Sequence, residues 1–264
     1  MKRNLLSFII FSDFGIFSKP DITETKLTYD LIPKPSVLGI LGALIGLEGY
    51  RKKKENPEFI AKLSGIRIGV TPLKLKKGSI PPYKKSDFEN NYLPFRKEFI
   101  QFNNYHGYGS YEPGGNLIVN EQILINPAYR IYLEKGTVQD SIFAQLKKNL
   151  QENRAHFMPY MGKNEFPLNI IYEGEYEYRE ITDKIETKFK TIVFNDILAK
   201  DEIDLVVDAN LDFFFYQNYP IGLKDNQYIF KTVVFSNSEF LVKKTVNDEY
   251  ILVSDENGET IFLF

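Results

Sequence analysis

The chain has 264 residues, enough for one large domain or two small ones, and its 43% hydrophobic and 15% aromatic content can build a core. It contains no cysteine, which excludes disulfides, cysteine nucleophiles and thiolate metal sites. The net charge is only −2, yet residues 1–110 hold 18 Lys/Arg against 10 Asp/Glu while the remainder holds 15 against 25. A basic first half points to a polyanion partner, and an acidic second half to solvent or a basic protein.

The N-terminus, MKRNLLSFIIFSDF, begins like a secretory leader, but Asp13 breaks the apolar run and no small-residue cleavage site follows. It reads instead as a central strand over Leu5–Phe14, buried on both faces, in a soluble cytoplasmic protein. Gly15–Leu31 is irregular and polar. The next segment, Thr28–Leu47, is the most informative: TYDLIPKPSVLGILGALIGL. It predicts a helix from Ser36 to about Tyr50, with Ser36 as N-cap and free amides after it that suit an anion. Gly39, Gly42 and Gly46 fall on one face of that helix, and each costs roughly 1 kcal/mol against alanine, so close approach of another surface must offset them. From spacing alone that surface is a packed sheet, and the cap with the bare face suggests a phosphate site. The apolar run Val37–Leu47 is far short of the roughly 20 residues a membrane span needs. No Gly-Lys-Ser/Thr follows a glycine loop, which excludes a Walker-type phosphate loop.

Pro57–Leu63 reads as a short helix and Gly65–Leu75 as a second strand rich in β-branched residues. Residues 76–116 contain Pro81, Pro82, Pro94 and Pro113 and glycines at 107, 109, 114 and 115, the marks of a long excursion rather than a packed element. Lys74, Lys76, Lys77, Lys84 and Lys85 lie at its start with aromatic residues between the later ones, a better nucleic-acid signal than the bare Arg51–Lys54 run. Strands follow at Ile118–Ile125 and Ala128–Leu133, then an amphipathic helix over Thr137–Asn153 with Ile142, Leu146 and Leu150 on one side, then a strand over Leu168–Tyr176. With the excursion set aside, the order is β-α-β, β-α-β, the split plan shared by RNA-recognition modules. From about Glu180 short strands alternate with Asn, Asp and Gly turns: Phe189–Phe194, Leu205–Val207, Phe213–Tyr216, Lys231–Phe235, Phe240–Lys244, Tyr250–Ser254 and Thr260–Phe264. Asn257-Gly258 marks a hairpin turn between the last two.

Several stretches together resemble a known family. They are Phe14-Gly15 through Lys19-Pro20, the Thr28–Gly46 run, Asn120-Glu121-Gln122 leading to Pro127-Ala128-Tyr129-Arg130-Ile131-Tyr132, Pro159-Tyr160-Met161-Gly162-Lys163, and, more weakly, Tyr219-Pro220. The chain resembles the CRISPR-associated Cascade subunit of antiviral defence that caps the 5′ end of the guide RNA, a RAMP-superfamily protein of the type I-B variety. The resemblance implies an α+β fold: a ferredoxin-like (RRM-like) palm over residues 1–75 and 117–178, a protruding thumb insertion at 76–116, and a small, mostly antiparallel β-rich C-terminal domain at 179–264. It implies a non-catalytic RNA-binding role, gripping the crRNA 5′ handle and linking the large subunit to the backbone subunit, with target DNA met inside the complex. No cofactor, metal or membrane is implied. By position, Lys34, Ser36 and Gly39 at the start of the glycine helix would face the handle, and Lys19 and Tyr29 would flank the RNA. Tyr83, Lys84, Lys85, His106, Tyr108 and Tyr111 would lie on the thumb.

Two other readings stay open at this level. In the type I-C variety the same subunit cuts precursor RNA without metal, using tyrosine, lysine and histidine, which makes a metal-free endoribonuclease the alternative. Neither His106 nor His156 has a diagnostic neighbour, and His106, beside Tyr105, Tyr108 and several lysines, is the only plausible acid–base centre for it. Asp201 and Asp204 lie in an acidic segment without a spaced histidine, so metal catalysis has no ligand pattern. The other reading is a general single-strand RNA-binding protein outside any defence complex.

Overall fold

The computed structural model describes residues 4–20, 25–50, 55–90, 93–104, 117–183, 185–198, 213–242 and 249–264. Its elements in chain order begin β1 (Asn4–Phe11), β2 (Phe14–Gly15), β3 (Thr25–Lys26), α1 (Lys34–Ile45), α2 (Glu58–Leu63), β4 (Arg67–Leu75) and β5 (Phe88–Asn90). They continue β6 (Lys97–Asn104), β7 (Leu117–Ile125), β8 (Ala128–Glu134), α3 (Asp140–Gln151) and β9 (Asn169–Glu177). The C-terminal part adds β10 (Arg179–Glu180), β11 (Glu186–Lys188), β12 (Val193–Phe194), β13 (Phe213–Lys224), β14 (Gln227–Ser236), β15 (Glu239–Leu241), β16 (Ile251–Ser254) and β17 (Thr260–Leu263). The fold is mixed α/β with mostly antiparallel strands. No helix among the described residues is long and apolar enough to cross a membrane.

The main sheet has the order β5-β4-β8-β1-β9, with every neighbouring pair antiparallel. The strands joined by helical crossovers, β1 to β4 and β8 to β9, interleave, so β1 is an inner strand between β8 and β9. This is why β1 is apolar on both faces. Leu6, Phe8 and Ile10 pack into the large core under α1 and α3, while Leu5 and Ile9 belong to two smaller clusters on the opposite face. The C-terminal strands complete the edge of β4: Phe264 exchanges two backbone hydrogen bonds with Ile68, and Ile192 N–H donates to the Val70 carbonyl. Phe189, Val193, Tyr219 and Phe262 share the large core with the helices.

Three local expectations change. First, α1 starts at Lys34, two residues early, because Pro33 is the N-cap and Pro35 fits the first turn. Ser36 is inside the helix and makes no side-chain cap; its N–H donates to the Pro33 carbonyl at 3.0 Å, so no anion cradle opens there. Second, the 76–116 excursion is partly packed. It contains β5 and β6, and Phe88, Leu93 and Phe95 are buried in the core clusters. Third, the long hairpin β13–β14 turns on Asp225-Asn226, both at positive φ, the geometry of a type I′ turn. The Asn257-Gly258 turn is a five-residue loop, with Asp255 Oδ1 accepting the amides of Asn257 and Glu259. Leu205–Val207 lies outside the described residues.

The glycine face of α1 meets a helix, not the sheet. Phe59 of α2 lies across it, and a Cβ added at Gly42 would come 2.6 Å from the Phe59 Cβ, against 3.8 Å from the ring at Gly39. Gly46 ends the helix in the left-handed region at φ 78°, which glycine adopts without strain. Gly42→Ala should therefore destabilise the chain by about 1–3 kcal/mol through overpacking, despite alanine's better helix propensity. Gly39→Ala should be neutral or stabilising by up to about 1 kcal/mol. Urea unfolding midpoints of the two variants check the pair, and equal effects would contradict the packing assignment.

Lys34 makes a second prediction. Its Nζ is buried, donates to the Phe264 carbonyl at 2.8 Å and lies 5.7 Å from the Phe264 ring centroid. Burial pushes its ammonium down to about 8, and nearby Arg67 adds to the shift. The folded state thus holds this proton less tightly than the unfolded chain, whose lysine titrates near its ordinary value of 10.5. Stability from this group is at its low plateau below pH 8 and rises as pH climbs to 10.5, by up to about 3 kcal/mol. The difference between wild-type and Lys34→Met stability curves should show that rise, because tyrosines common to both cancel. A flat difference curve would refute it.

Candidate nucleic-acid interface

Two groups of cations stand at the end of the sheet where β1 runs out. The first is the turn between β4 and β5. Lys74, Lys76, Lys77, Lys84 and Lys85 are all exposed there, against Asp87 and Glu89. The turn is held by its own backbone: Lys76 N–H donates to the Asp87 carbonyl at 2.8 Å, Lys84 N–H to Asp87 Oδ2 at 2.7 Å, and Lys76 Nζ to the Ser86 carbonyl at 2.7 Å. Tyr83 anchors it to the core, its ring 5.7 Å from Phe11 and 6.4 Å from Phe88. Short contacts fix the loop and Lys74 pairs with Glu89 at 3.3 Å, while Lys77, Lys84 and Lys85 stay exposed, a surface suited to backbone phosphates.

The second group surrounds Glu121 on β7. Its carboxylate is 2% exposed and accepts from Lys26 Nζ at 3.0 Å and from Lys163 Nζ. Burial pushes the Glu121 carboxyl up, but hydrogen bonds from Lys163 and Lys26 outweigh it and hold it below the usual carboxylate range. Lys163 Nζ also lies 4.1 Å from the Phe102 ring centroid on β6. One carboxylate thereby positions two lysines, leaving one positive charge in excess beside an aromatic ring, as base-stacking surfaces require. Lys19 is close in the chain fold: its N–H donates to the Leu27 carbonyl, next to Lys26, and its Nζ is 5.4 Å from the Tyr29 ring centroid.

The sequence-predicted residues divide accordingly. Tyr83, Lys84 and Lys85 come together on the first turn, and Lys19 sits beside the second group. Ser36 and Gly39 are half-buried and line a cleft along α1 whose lining among the described residues carries no charge. Tyr29 is a core residue, with its hydroxyl donating to the Asn218 carbonyl and its ring edge-on to Tyr219 at 5.9 Å. Lys34 is likewise buried, on the Phe264 carbonyl. Neither presents its polar end to an open surface. His106, Tyr108 and Tyr111 lie outside the described residues. Sequence reasoning passed over Lys26, Glu121 and Lys163 as a unit. The parallel pairing of β3 with β7 sets Lys26 opposite Glu121, and Lys163, from a separate motif, reaches the same carboxylate.

No family model and no curated relative matches the sequence. Among solved structures, the chain is similar to a CRISPR protein from Archaeoglobus fulgidus, with 15% identity, TM-score 0.43 and 98% of each chain covered. It is also similar to a chain of a CRISPR RNA-guided surveillance complex, with 10% identity, TM-score 0.46 and 90% of this chain and 91% of that one covered. A third similarity is to a Cas protein, at 16% identity and TM-score 0.33 over 61% of this chain, which spans 57% of that chain's length. At these identities and scores no role is carried over from them.

If the first turn holds phosphates, its lysines set the salt dependence of RNA binding. Each single-strand phosphate contact contributes a slope of about −0.7 to log K against log salt. Lys84→Ala with Lys85→Ala should flatten that slope by about 1.4 and weaken binding of single-stranded RNA uniformly across sequences. Filter binding over a salt series reads both, and an unchanged slope would move the phosphate contacts elsewhere.

Proposed function

We propose that the chain is a non-catalytic RNA-binding subunit of a type I CRISPR surveillance complex, of the type I-B variety. In this reading residues 1–75 and 117–178, with the main sheet, α1 and α3, are a ferredoxin-like palm, and residues 76–116 are the thumb. The protein grips the crRNA 5′ handle and links the large subunit to the backbone subunit, and it meets target DNA only inside that complex. The observation that carries the reading is the anchored lysine turn with Tyr83, in a chain whose Thr28–Gly46 run resembles the handle-capping family. Exposed lysines hold phosphates without reading sequence, and Phe102 with Lys163 offers a ring and a cation for an unstacked base.

In this reading the chain binds guide RNA without cutting it, and the acid–base candidate His106 lies outside the described residues. His156 is exposed and packs edge-on against Phe157 at 4.6 Å, a contact that orients the ring without giving it an acid–base partner. The test is co-expression with the proteins of the neighbouring genes and a guide precursor. The chain should copurify with guide RNA and at least one larger subunit, and the purified chain should leave labelled precursor uncut in chelator. A chain that purifies alone and free of RNA would refute the assignment. A discrete cleavage product that disappears in His106→Ala would replace it with the endoribonuclease.

A further inference from the structure

The Glu121 group is built from three parts of the chain, and the backbone fixes each of them. Lys26 lies on β3 directly opposite Glu121 in the parallel pairing with β7. On the other flank of β7, Ile100 of β6 stands opposite Glu121 and Phe102 opposite Val119, so Phe102 shares the face of Glu121 one diagonal away. That face changes character along its length. At one end Ile123 is buried and Ile100 packs against the core, while at the other Phe102 is half-buried. Glu121, 2% exposed, lies at the boundary.

The third part is the turn that carries Lys163. Met161 N–H donates to the Phe166 carbonyl at 2.8 Å, Phe166 N–H to the Lys163 carbonyl at 2.9 Å, and Ile16 N–H to the Met161 carbonyl at 3.1 Å. Gly162 has φ 87°, and a Cβ there would overlap the Ile16 carbonyl oxygen, so glycine is what lets the turn close against the chain. The turn delivers Lys163 to the Glu121 carboxylate and to the Phe102 ring.

An ammonium has three N–H donors and no acceptor. Glu121 takes one donor from each lysine and is itself hidden, whereas the side chains of Lys26 and Lys163 are 45% and 28% exposed. A ligand arriving from solvent therefore meets two cations held one carboxylate apart, with donors left over. That spacing suits two oxygens of one phosphate, and lysines already held in place lose less rotamer freedom on binding. With the described neighbours Lys19 and Glu165 counted in, the group keeps one positive charge in excess; Asp21 and Glu24 lie outside the described residues.

We propose that Glu121 is a positioning residue for RNA, holding Lys26 and Lys163 as a two-point clamp on one backbone phosphate of a single strand. The inference rests on the chain binding RNA, and it opposes what charge alone dictates. Removing a carboxylate beside two lysines raises the net charge, which strengthens the pull on a polyanion. Removing the group that orders those lysines takes a contact away, so the sign of the effect tells the two apart.

The test is filter binding of a short oligouridylate by the full chain over a salt series, with urea midpoints measured alongside. Glu121→Gln should flatten the slope of log K against log salt by about 0.7 and weaken binding about fivefold near 0.1 M salt. Glu165→Gln makes the same change in charge two residues from Lys163 but outside the clamp, and it should leave the slope unchanged and binding equal or tighter. A loss of folded protein alone would lower the apparent affinity without altering the slope. Tighter binding by Glu121→Gln, an unchanged slope, or the same response from both variants would overturn the inference. If Glu121→Gln does not fold, Phe102→Leu decides, because it removes a support of Lys163 without changing the charge. A flattened slope in that variant supports the clamp and an unchanged one overturns it. A wild-type chain that binds no RNA would refute the functional reading first, whereas wild-type binding with a tighter Glu121→Gln would refute the clamp alone.

Discussion

Asp30 lies in the middle of the Thr28–Ile32 run with its carboxylate 5% exposed and three donors on it: Phe95 N–H at 3.1 Å, Lys97 Nζ at 2.7 Å and the Tyr216 hydroxyl at 3.2 Å. Its backbone carbonyl takes the Tyr129 hydroxyl at 2.5 Å. A buried carboxylate is costly unless paired and hydrogen-bonded, so each donor is held in place by the penalty of losing it. Those donors come from the start of the β6–β7 hairpin, from the C-terminal β13 and from the central β8. Burial, and then the Asp30 charge, push the Tyr216 hydroxyl far up, so it remains a proton donor at any working pH. One side chain thus fixes where the hairpin root and the C-terminal hairpin sit relative to the sheet. The Glu121 group, carried by the β6–β7 hairpin, inherits its geometry from that contact.

The tyrosines near Asp30 repeat the device with backbone acceptors. Tyr29, Tyr129 and Tyr219 are fully buried, and their hydroxyls donate to the carbonyls of Asn218, Asp30 and Ile32. The irregular run 29–32 has no ladder of its own, and buried carbonyls need donors, so tyrosine tips supply them. This explains why so aromatic a chain has part of its tyrosine content withdrawn from any ligand surface. A count of aromatic residues overstates the stacking surface for that reason.

The strands and helices of the first part were legible because burial on one or two faces leaves a period in the sequence: β4, β7, β8 and β9 each begin and end within about two residues of their expected places. The order strand-helix-strand, strand-helix-strand is likewise present along the chain. What periodicity does not encode is who meets whom. Ser36 looked like a cap because its residue type is right, but Pro35 prefers the first turn and moved the start upstream. The glycine face was visible and its occupant was not, since Phe59 reaches it from a helix only six residues long. The prolines of 76–116 hid β5 and β6, whose pairing is set by partners on β4 and β7 rather than by their own composition. Lys34, a cation in a phosphate-like setting by sequence, is taken by the Phe264 carbonyl 230 positions away.

Charge follows the same logic of long-range pairing. The excess of cations in residues 1–110 does not spread evenly over that half. Arg67 is paired with Glu134, Lys97 with Asp30, and Lys26 with Glu121, so several cations are neutralised by carboxylates at 3.0 Å or less. The turn between β4 and β5 is different, because there five lysines face two carboxylates, one of which, Asp87, is occupied by a backbone amide. Unbalanced charge that the fold does not use is what a polyanion responds to, since the Debye length in the cell is about 8 Å and paired charges cancel within it. Among the described residues, the lysine turn is therefore where an approaching nucleic acid meets charge that the fold has left unbalanced.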